Sequence, residues 1–96
     1  MNQPPADFIR VEPDAHRNFV EHCLKACGLA AEHAEHIARR LTWADLRGIH
    51  SHGAPQIERY VRGLKEGTIN PTPEIQTVRE ERALIVVNGD GGLGYL

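Results

Sequence analysis

The residue whose type and setting best suit catalysis is His52, which lies between Ser51 and Gly53. Imidazole titrates near neutral pH, so a histidine can donate a proton to a carbonyl oxygen and take it back in the reverse reaction. The neighbouring hydroxyl of Ser51 can orient that oxygen, and a glycine lets a ligand come close. Taken alone, the triplet is also typical of a histidine with a purely structural hydrogen bond, so both roles stay open at this point.

The other histidines do not predict a metal site. His33 and His36 lie one helical turn apart, but no third ligand and no H-E-x-x-H arrangement accompanies them. They alternate with Glu32 and Glu35, which is typical of a solvated helix face. We therefore expect no bound metal.

A glycine-rich segment, Gly89–Gly94, satisfies the G-x-G-x-x-G pattern of dinucleotide-binding turns and follows a predicted strand. The pattern also requires a following helix and an acidic residue about 20 positions later. The chain reaches Leu96 before either can occur. A flexible turn is therefore the favoured interpretation of this segment.

Periodic apolar residues predict three helices that position His52. The first runs from about Asp14 to Gly28, the second from about Ala31 to Asp45, and the third from about Ile57 to Gly67. The expected buried stripe of the first helix consists of Phe19, Val20, Cys23, Leu24 and Cys27, and that of the second of Ala34, Ile37, Ala38, Leu41 and Ala44. His52 lies in the interruption between the second and third helices.

The end of the chain predicts strands, because Pro71 and Pro73 cannot continue a helix. Residues 75–78 and 83–87 have the apolar and β-branched composition of two strands, with the charged residues 79–82 as their connection. Residues 8–11 have the composition of one further short strand. The predicted fold class is α+β: three N-terminal helices followed by two short β-strands.

Composition excludes several classes of function. The 96 residues are 41% hydrophobic and 25% charged, with a formal net charge of −2, which indicates an ordinary folded domain rather than a nucleic-acid binder. No apolar run approaches the roughly 18 residues of a membrane span, and the opening ten residues lack the order of a secretory signal. We expect a cytoplasmic protein without a membrane partner.

Several segments taken together resemble a known family. They are the continuous segment Ala44–Gly53, the pair Arg59-Tyr60, and the segment Gly67–Pro71. Their pattern, A-D-x-R-G-x-x-S-H-G followed by a helix aromatic and a G-x-I-N-P-like exit, is similar to that of the type-2 malate/L-lactate dehydrogenases. The order of helices and the glycine-rich turn also agree, so the resemblance covers nearly the whole chain.

The resemblance implies an oxidoreductase that transfers hydride between NAD or NADP and a small 2-oxo or 2-hydroxy acid such as malate or lactate, in a fold that is not the Rossmann fold. It implies that His52 is the acid/base catalyst and that Ser51 contacts the substrate. Tyr60 matches the helix aromatic near the substrate. The family also implies a homodimer. No residue of this chain is assigned to the cofactor.

One position departs from the family pattern, since many members have arginine where this chain has Gln56. Glutamine can hydrogen-bond to a substrate but cannot neutralise a carboxylate as an arginine fork does. Another group then holds the carboxylate, or the substrate is less anionic. Gln56 stays a candidate substrate contact, while Arg47 and Arg59 are possible substitutes for which surface roles are favoured.

Family members are several times longer than this chain. Residues 1–96 are therefore expected to be the single N-terminal portion of a truncated domain, inactive alone. The alternative is a non-enzymatic helical oligomerisation module, or a degenerate remnant, in which the Ser-His-Gly turn merely joins two helices.

Overall fold

The structure, a computed structural model, describes residues 6–96, so the first five residues of the predicted single unit lie outside it. Three helices precede a two-stranded sheet: α1 (Pro13–Ala26), α2 (Ala31–Leu46), α3 (Ile57–Glu66), β1 (Gln76–Glu81) and β2 (Leu84–Asn88). This order confirms the predicted α+β class.

The helix boundaries follow local chemistry. Pro13 is the first residue of α1, a position where the missing N–H removes no intrahelical bond. Gly28 and Gly67 follow α1 and α3 with φ angles of 96° and 81°, the left-handed geometry that glycine adopts without strain. None of the helices among residues 6–96 is both long enough and apolar enough to cross a membrane.

The core lies where α1 and α2 form an antiparallel helical pair, with α3 closing one side. The fully buried large side chains are Val20, Leu24, Ile37 and Leu41. The whole predicted stripe of α2 is buried.

In α1, the prediction for Phe19 was wrong, because its side chain is 62% exposed. It borders a groove between α1 and α3, where α3 packs less closely against α1 than α2 does. Cys23 and Cys27 are half-buried, free thiols.

Strands β1 and β2 form an antiparallel hairpin whose residues are all exposed. The prediction that residues 79–82 connect the strands was wrong, because β1 continues to Glu81 and pairs it with Leu84. Both faces of the hairpin meet solvent, so charged side chains in β1 carry no burial cost. The predicted strand at residues 8–11 was also wrong: this stretch is irregular and exposed. In residues 6–96 the sheet consists of β1 and β2 alone, so neither strand pairs with the backbone of residues 8–11.

The hairpin is attached to the helices by its two ends. The N–H of Asn70 donates to the carbonyl of Gly91 at 2.8 Å, and the Asp90 carboxylate accepts from the N–H of Glu74 at 3.0 Å. Leu93 and Tyr95 pack against the helical core. The projecting hairpin gives a radius of gyration of 15.2 Å. A compact domain of this length would have about 12–13 Å, so the hairpin lies largely outside the core.

We expect Leu41→Ala to lower the free energy of unfolding by about 2–5 kcal/mol, because Leu41 is fully buried and its truncation leaves a cavity. Leu46→Ala is the matched control, since Leu46 lies on the same helix and is 66% exposed. Urea denaturation of both variants measures the difference. Equal losses in the two variants would contradict the assignment of Leu41 to the core.

Candidate active site

The Ser-His-Gly triplet lies in a compact turn between α2 and α3. Gly48 follows α2 with a φ of 75°, and two short 3₁₀ turns, His50–His52 and Ala54–Gln56, lead into α3. Within them, the N–H of His52 donates to the carbonyl of Ile49 at 3.0 Å. Residues 47–56, called the histidine turn below, therefore have a defined backbone.

Three of the four predicted site residues meet in the histidine turn. The hydroxyl of Ser51 lies 2.9 Å from Nδ1 of His52, and both side chains are exposed. The amide nitrogen of Gln56 donates to the carbonyl of Ser51 at 2.6 Å. The serine hydroxyl can thus fix the orientation of the imidazole, while Gln56 fixes the backbone that carries both.

The carboxylate of Asp45, near the end of α2, is the centre around which the histidine turn folds. One oxygen, Oδ2, accepts the N–H of Ala54 at 2.9 Å and lies 2.9 Å from Nε2 of His16 on α1. The other, Oδ1, lies 3.0 Å from Nδ1 of His50. A single side chain therefore binds α1, the start of the turn and its end.

Gly53 is required by the same carboxylate. A Cβ atom built at Gly53 would lie 1.8 Å from Oδ1 of Asp45, far inside any permitted contact. Gly53 is also buried and has a φ of −104°, a value open to other residues. Space, not backbone conformation, accordingly excludes a side chain at this position.

The pKa of Asp45 lies below its ordinary value of 3.8. Partial burial favours the neutral acid and raises the pKa. The hydrogen bonds from the N–H of Ala54 and from the rings of His50 and His16 act in the opposite direction and together outweigh burial. Asp45 is consequently ionised at neutral pH, and an ionised carboxylate only accepts hydrogen bonds. Both ring nitrogens that face it must therefore carry hydrogen.

Tyr60, the fourth predicted site residue, lies in the core of α3 and is 6% exposed. Its hydroxyl is 2.9 Å from that of Tyr95, and the two rings pack edge to face with centroids 6.1 Å apart. Burial, followed by the hydrogen bond with Tyr60, raises the pKa of Tyr95 to about 12. One edge of Tyr60 lines a surface hollow of about 310 Å³ beside Arg59 and Leu93.

Two other sequence features also have clear surroundings. The guanidinium groups of Arg47 and Arg59 stack over the rings of Trp43 and Tyr60, at 4.2 and 5.4 Å from the centroids. His33 and His36 are half-buried, so a fully solvated face was only partly right for them. Across residues 6–96, no three His, Cys, Asp or Glu side chains gather as metal ligands would.

In the described chain the ring of His52 is exposed and lines neither of two surface hollows. The larger hollow, about 700 Å³, lies between α1 and α3 and includes His16 and Phe19.

The profile of the malate/L-lactate dehydrogenase family matches residues 11–96. The chain belongs to this family. It is 39% identical over 90 residues to a malate dehydrogenase of Pyrococcus horikoshii, 38% over 86 residues to an L-sulfolactate dehydrogenase of Methanocaldococcus jannaschii, and 31% over 88 residues to a ureidoglycolate dehydrogenase of Escherichia coli. These alignments cover 90–94% of this chain.

The fold agrees with that of a family member. The solved structure of the Pyrococcus horikoshii malate dehydrogenase superimposes with a TM-score of 0.89 at 36% identity, covering 98% of this chain and 28% of that one. The chain spans about a quarter of the length of the curated relatives it matches. The resemblance proposed from the sequence is thereby confirmed at the level of the family.

Sequence reasoning missed three residues of this dehydrogenase-family site: Asp45, His50 and His16. Asp45 and His50 lie within the family-like segment but were not assigned roles, because acidic and imidazole side chains at a helix end are commonly solvated. The available signal was Gly53, since a glycine beside a candidate histidine marks a close approach. The partner in that approach, Asp45, becomes evident only when the chain has folded back.

The lowered pKa of Asp45 gives a testable dependence of stability on pH. A depressed pKa in the folded state stabilises the fold at pH values above the ordinary carboxyl pKa, and this stabilisation disappears as the pH falls through the depressed value. We expect Asp45→Asn to lower the melting temperature at pH 7. The melting temperatures of the variant and the unaltered protein should converge below about pH 4. Differential scanning calorimetry from about pH 7 to about pH 2.5 measures both.

Glu35→Gln is the matched control for this prediction, because it removes one negative charge from the exposed face of the same helix, where Glu35 pairs with Arg39. Its effect should be small at every pH. A melting-temperature difference between Asp45→Asn and the unaltered protein that stayed constant down to about pH 2.5 would contradict the depressed pKa.

Proposed function

We propose that this chain is the N-terminal portion of an NAD- or NADP-dependent oxidoreductase that interconverts a 2-oxo acid and a 2-hydroxy acid. The observation that carries the proposal is the exposed imidazole of His52, hydrogen-bonded through Nδ1 to Ser51 in a turn with a fixed backbone. Relatives named malate, sulfolactate and ureidoglycolate dehydrogenases support the substrate class.

His52 handles the proton in this reaction. The contact with Ser51 engages Nδ1, so Nε2 is the nitrogen that reaches the substrate. When a 2-oxo acid is reduced, its carbonyl carbon gains a hydride and its oxygen gains the proton that the imidazolium of His52 releases. In the oxidative direction the neutral imidazole takes the proton from the hydroxyl group. The exposure of the ring gives substrate and solvent protons access to it.

A nicotinamide supplies the hydride when it is bound. The glycine-rich segment Gly89–Gly94 is engaged in contacts within the chain, since a Cβ at Gly92 would lie 2.6 Å from Pro73. The carbonyl of Gly91 is hydrogen-bonded to Asn70. We therefore assign no cofactor contact to this chain and derive only the path of the proton.

The substrate contacts follow from the same turn. Ser51 orients the imidazole through its hydroxyl. The amide oxygen of Gln56 can accept a neutral hydrogen bond from the substrate while its nitrogen holds the turn. Neither group neutralises a carboxylate. Tyr60 contributes the edge of its ring, because its hydroxyl is engaged by Tyr95. The guanidinium of Arg47, the arginine of the histidine turn, stacks over Trp43. The cation that binds a substrate carboxylate is therefore supplied outside the histidine turn.

The protein acts as a homodimer in the cytoplasm under this proposal. The exposed apolar side chains Phe19, Trp43 and Leu46, each at least 50% exposed, support further packing partners for the helices. Residues 1–96 then form one part of a larger domain and are inactive alone.

We expect His52→Ala, in the complete gene product that contains this sequence, to lower kcat by about a hundredfold or more, the usual contribution of a positioned acid/base. His22→Ala, on the exposed surface of α1, is the matched control and should leave kcat unchanged. The assay follows loss of reduced-nicotinamide absorbance with a panel of 2-oxo acids and with both NADH and NADPH.

An unchanged kcat in His52→Ala would remove His52 from the mechanism. If the complete protein reduces none of the 2-oxo acids with either cofactor, the dehydrogenase proposal fails, and the alternative of a helical oligomerisation module gains support.

A further inference from the structure

We propose that Asp45 is the positioning residue of this site: its carboxylate holds the histidine turn in the geometry that presents His52 to the substrate. The inference rests on the proposed role of His52 as acid/base. Asp45 does not act on the substrate itself, since its side chain is 15% exposed and its oxygens are occupied by protein donors.

The first support is that the carboxylate binds both sides of His52 along the chain. Nδ1 of His50, two residues before His52, lies 3.0 Å from Oδ1. The N–H of Ala54, two residues after it, donates to Oδ2 at 2.9 Å. These two contacts span the five residues that contain the catalytic triplet. They restrain the backbone of the segment that carries His52.

The second support is steric. Gly53, next to His52, packs against the carboxylate so closely that no Cβ fits between them. Because Gly53 has no side chain, its backbone can lie directly against the carboxylate. The peptide between His52 and Gly53 is therefore held against a charged group that is itself held from α1 by His16.

The third support is that the side-chain hydrogen bond from Gln56 is weaker than those of Asp45. The amide nitrogen of Gln56 binds the carbonyl of Ser51 through an exposed, neutral hydrogen bond. Hydrogen bonds that an ionised carboxylate accepts are roughly twice as strong as neutral ones. The contacts of Asp45 thus restrain the turn more strongly than the contact of Gln56 does.

The test compares Asp45→Asn with the unaltered complete protein and repeats the substitution in a His52→Ala background. An asparagine places an amide group where one carboxylate oxygen stood, so it must face either an N–H of Ala54 or a ring N–H with a donor of its own. A displaced acid/base costs roughly ten- to a hundredfold in rate. We expect kcat to fall by that factor, with KM changed about twofold at most.

The double variant separates positioning from a general structural defect. If Asp45 acts through His52, the Asp45→Asn substitution lowers kcat no further once His52 is alanine. Equal losses in both backgrounds, or a kcat of Asp45→Asn within about twofold of the unaltered protein, would overturn the proposal. Glu35→Gln serves as the charge-matched control and should behave like the unaltered protein in both backgrounds.

A second pair of variants covers the case in which Asp45→Asn does not fold. His50 has a half-exposed side chain, so its replacement leaves the core intact. His50→Ala removes the donor to Oδ1 and is expected to lower kcat about three- to tenfold, while His50→Asn offers an amide N–H near the position of Nδ1 and should restore most of it. Equal activity of these two variants would contradict the proposal.

The outcomes also distinguish this inference from the proposed function. If His52→Ala retains full activity, the acid/base role fails and the positioning role fails with it. If His52→Ala loses activity while Asp45→Asn and His50→Ala do not, the proposed function stands and Asp45 is a structural residue only.

Discussion

The geometry of the candidate site depends on the carboxylate of Asp45. It lies at the end of α2, where the chain must reverse, and it collects donors from α1, from the first 3₁₀ turn and from the start of the second. Backbone groups in a reversal of this kind lack helical partners. The ionised carboxylate of Asp45 accepts one of these backbone groups, the N–H of Ala54.

The same arrangement meets two opposing requirements of the acid/base role proposed for His52. The imidazole must be open to substrate, and an open side chain on a loop is ordinarily mobile. In this chain the contacts are made with the side chain of His50, with the N–H of Ala54 and with Nδ1 of His52, while the ring of His52 stays exposed. Precision thus comes from the support beneath the turn, and access comes from leaving the ring uncovered.

The helices were predictable from sequence because their signals are local and redundant. In α2 the apolar spacing, and in α1 and α3 the glycine stops, agree with the burial that tertiary packing imposes. The end of β1 was not predictable from sequence, because an exposed strand has no buried face to mark its register. The charged Arg79 and Glu80 also resemble a connection between strands. The predicted burial of Phe19 was wrong for a related reason, because periodicity identifies a helix face but not whether a neighbouring helix covers it.

In the candidate site, too, local features were predictable from the sequence and contacts that depend on the fold were not. The sequence predicts His52, Ser51 and Gln56 as candidate site residues, because their types and the family-like pattern mark them. It could not identify Asp45 as their support, since the contact of Asp45 with Ala54 depends on the path of the intervening turn.

This difference has a physical origin in the range of the contacts. The donors that Asp45 receives from the histidine turn come from within nine residues, so most of the site forms from one continuous segment. The link to His16 spans 29 residues and needs α1 packed on α2. Loop closure over the short segment costs little entropy, whereas the long link is gained only with the helical core. The turn can therefore be shaped locally, whereas its link to α1 depends on the packed helix pair that core residues such as Leu41 stabilise.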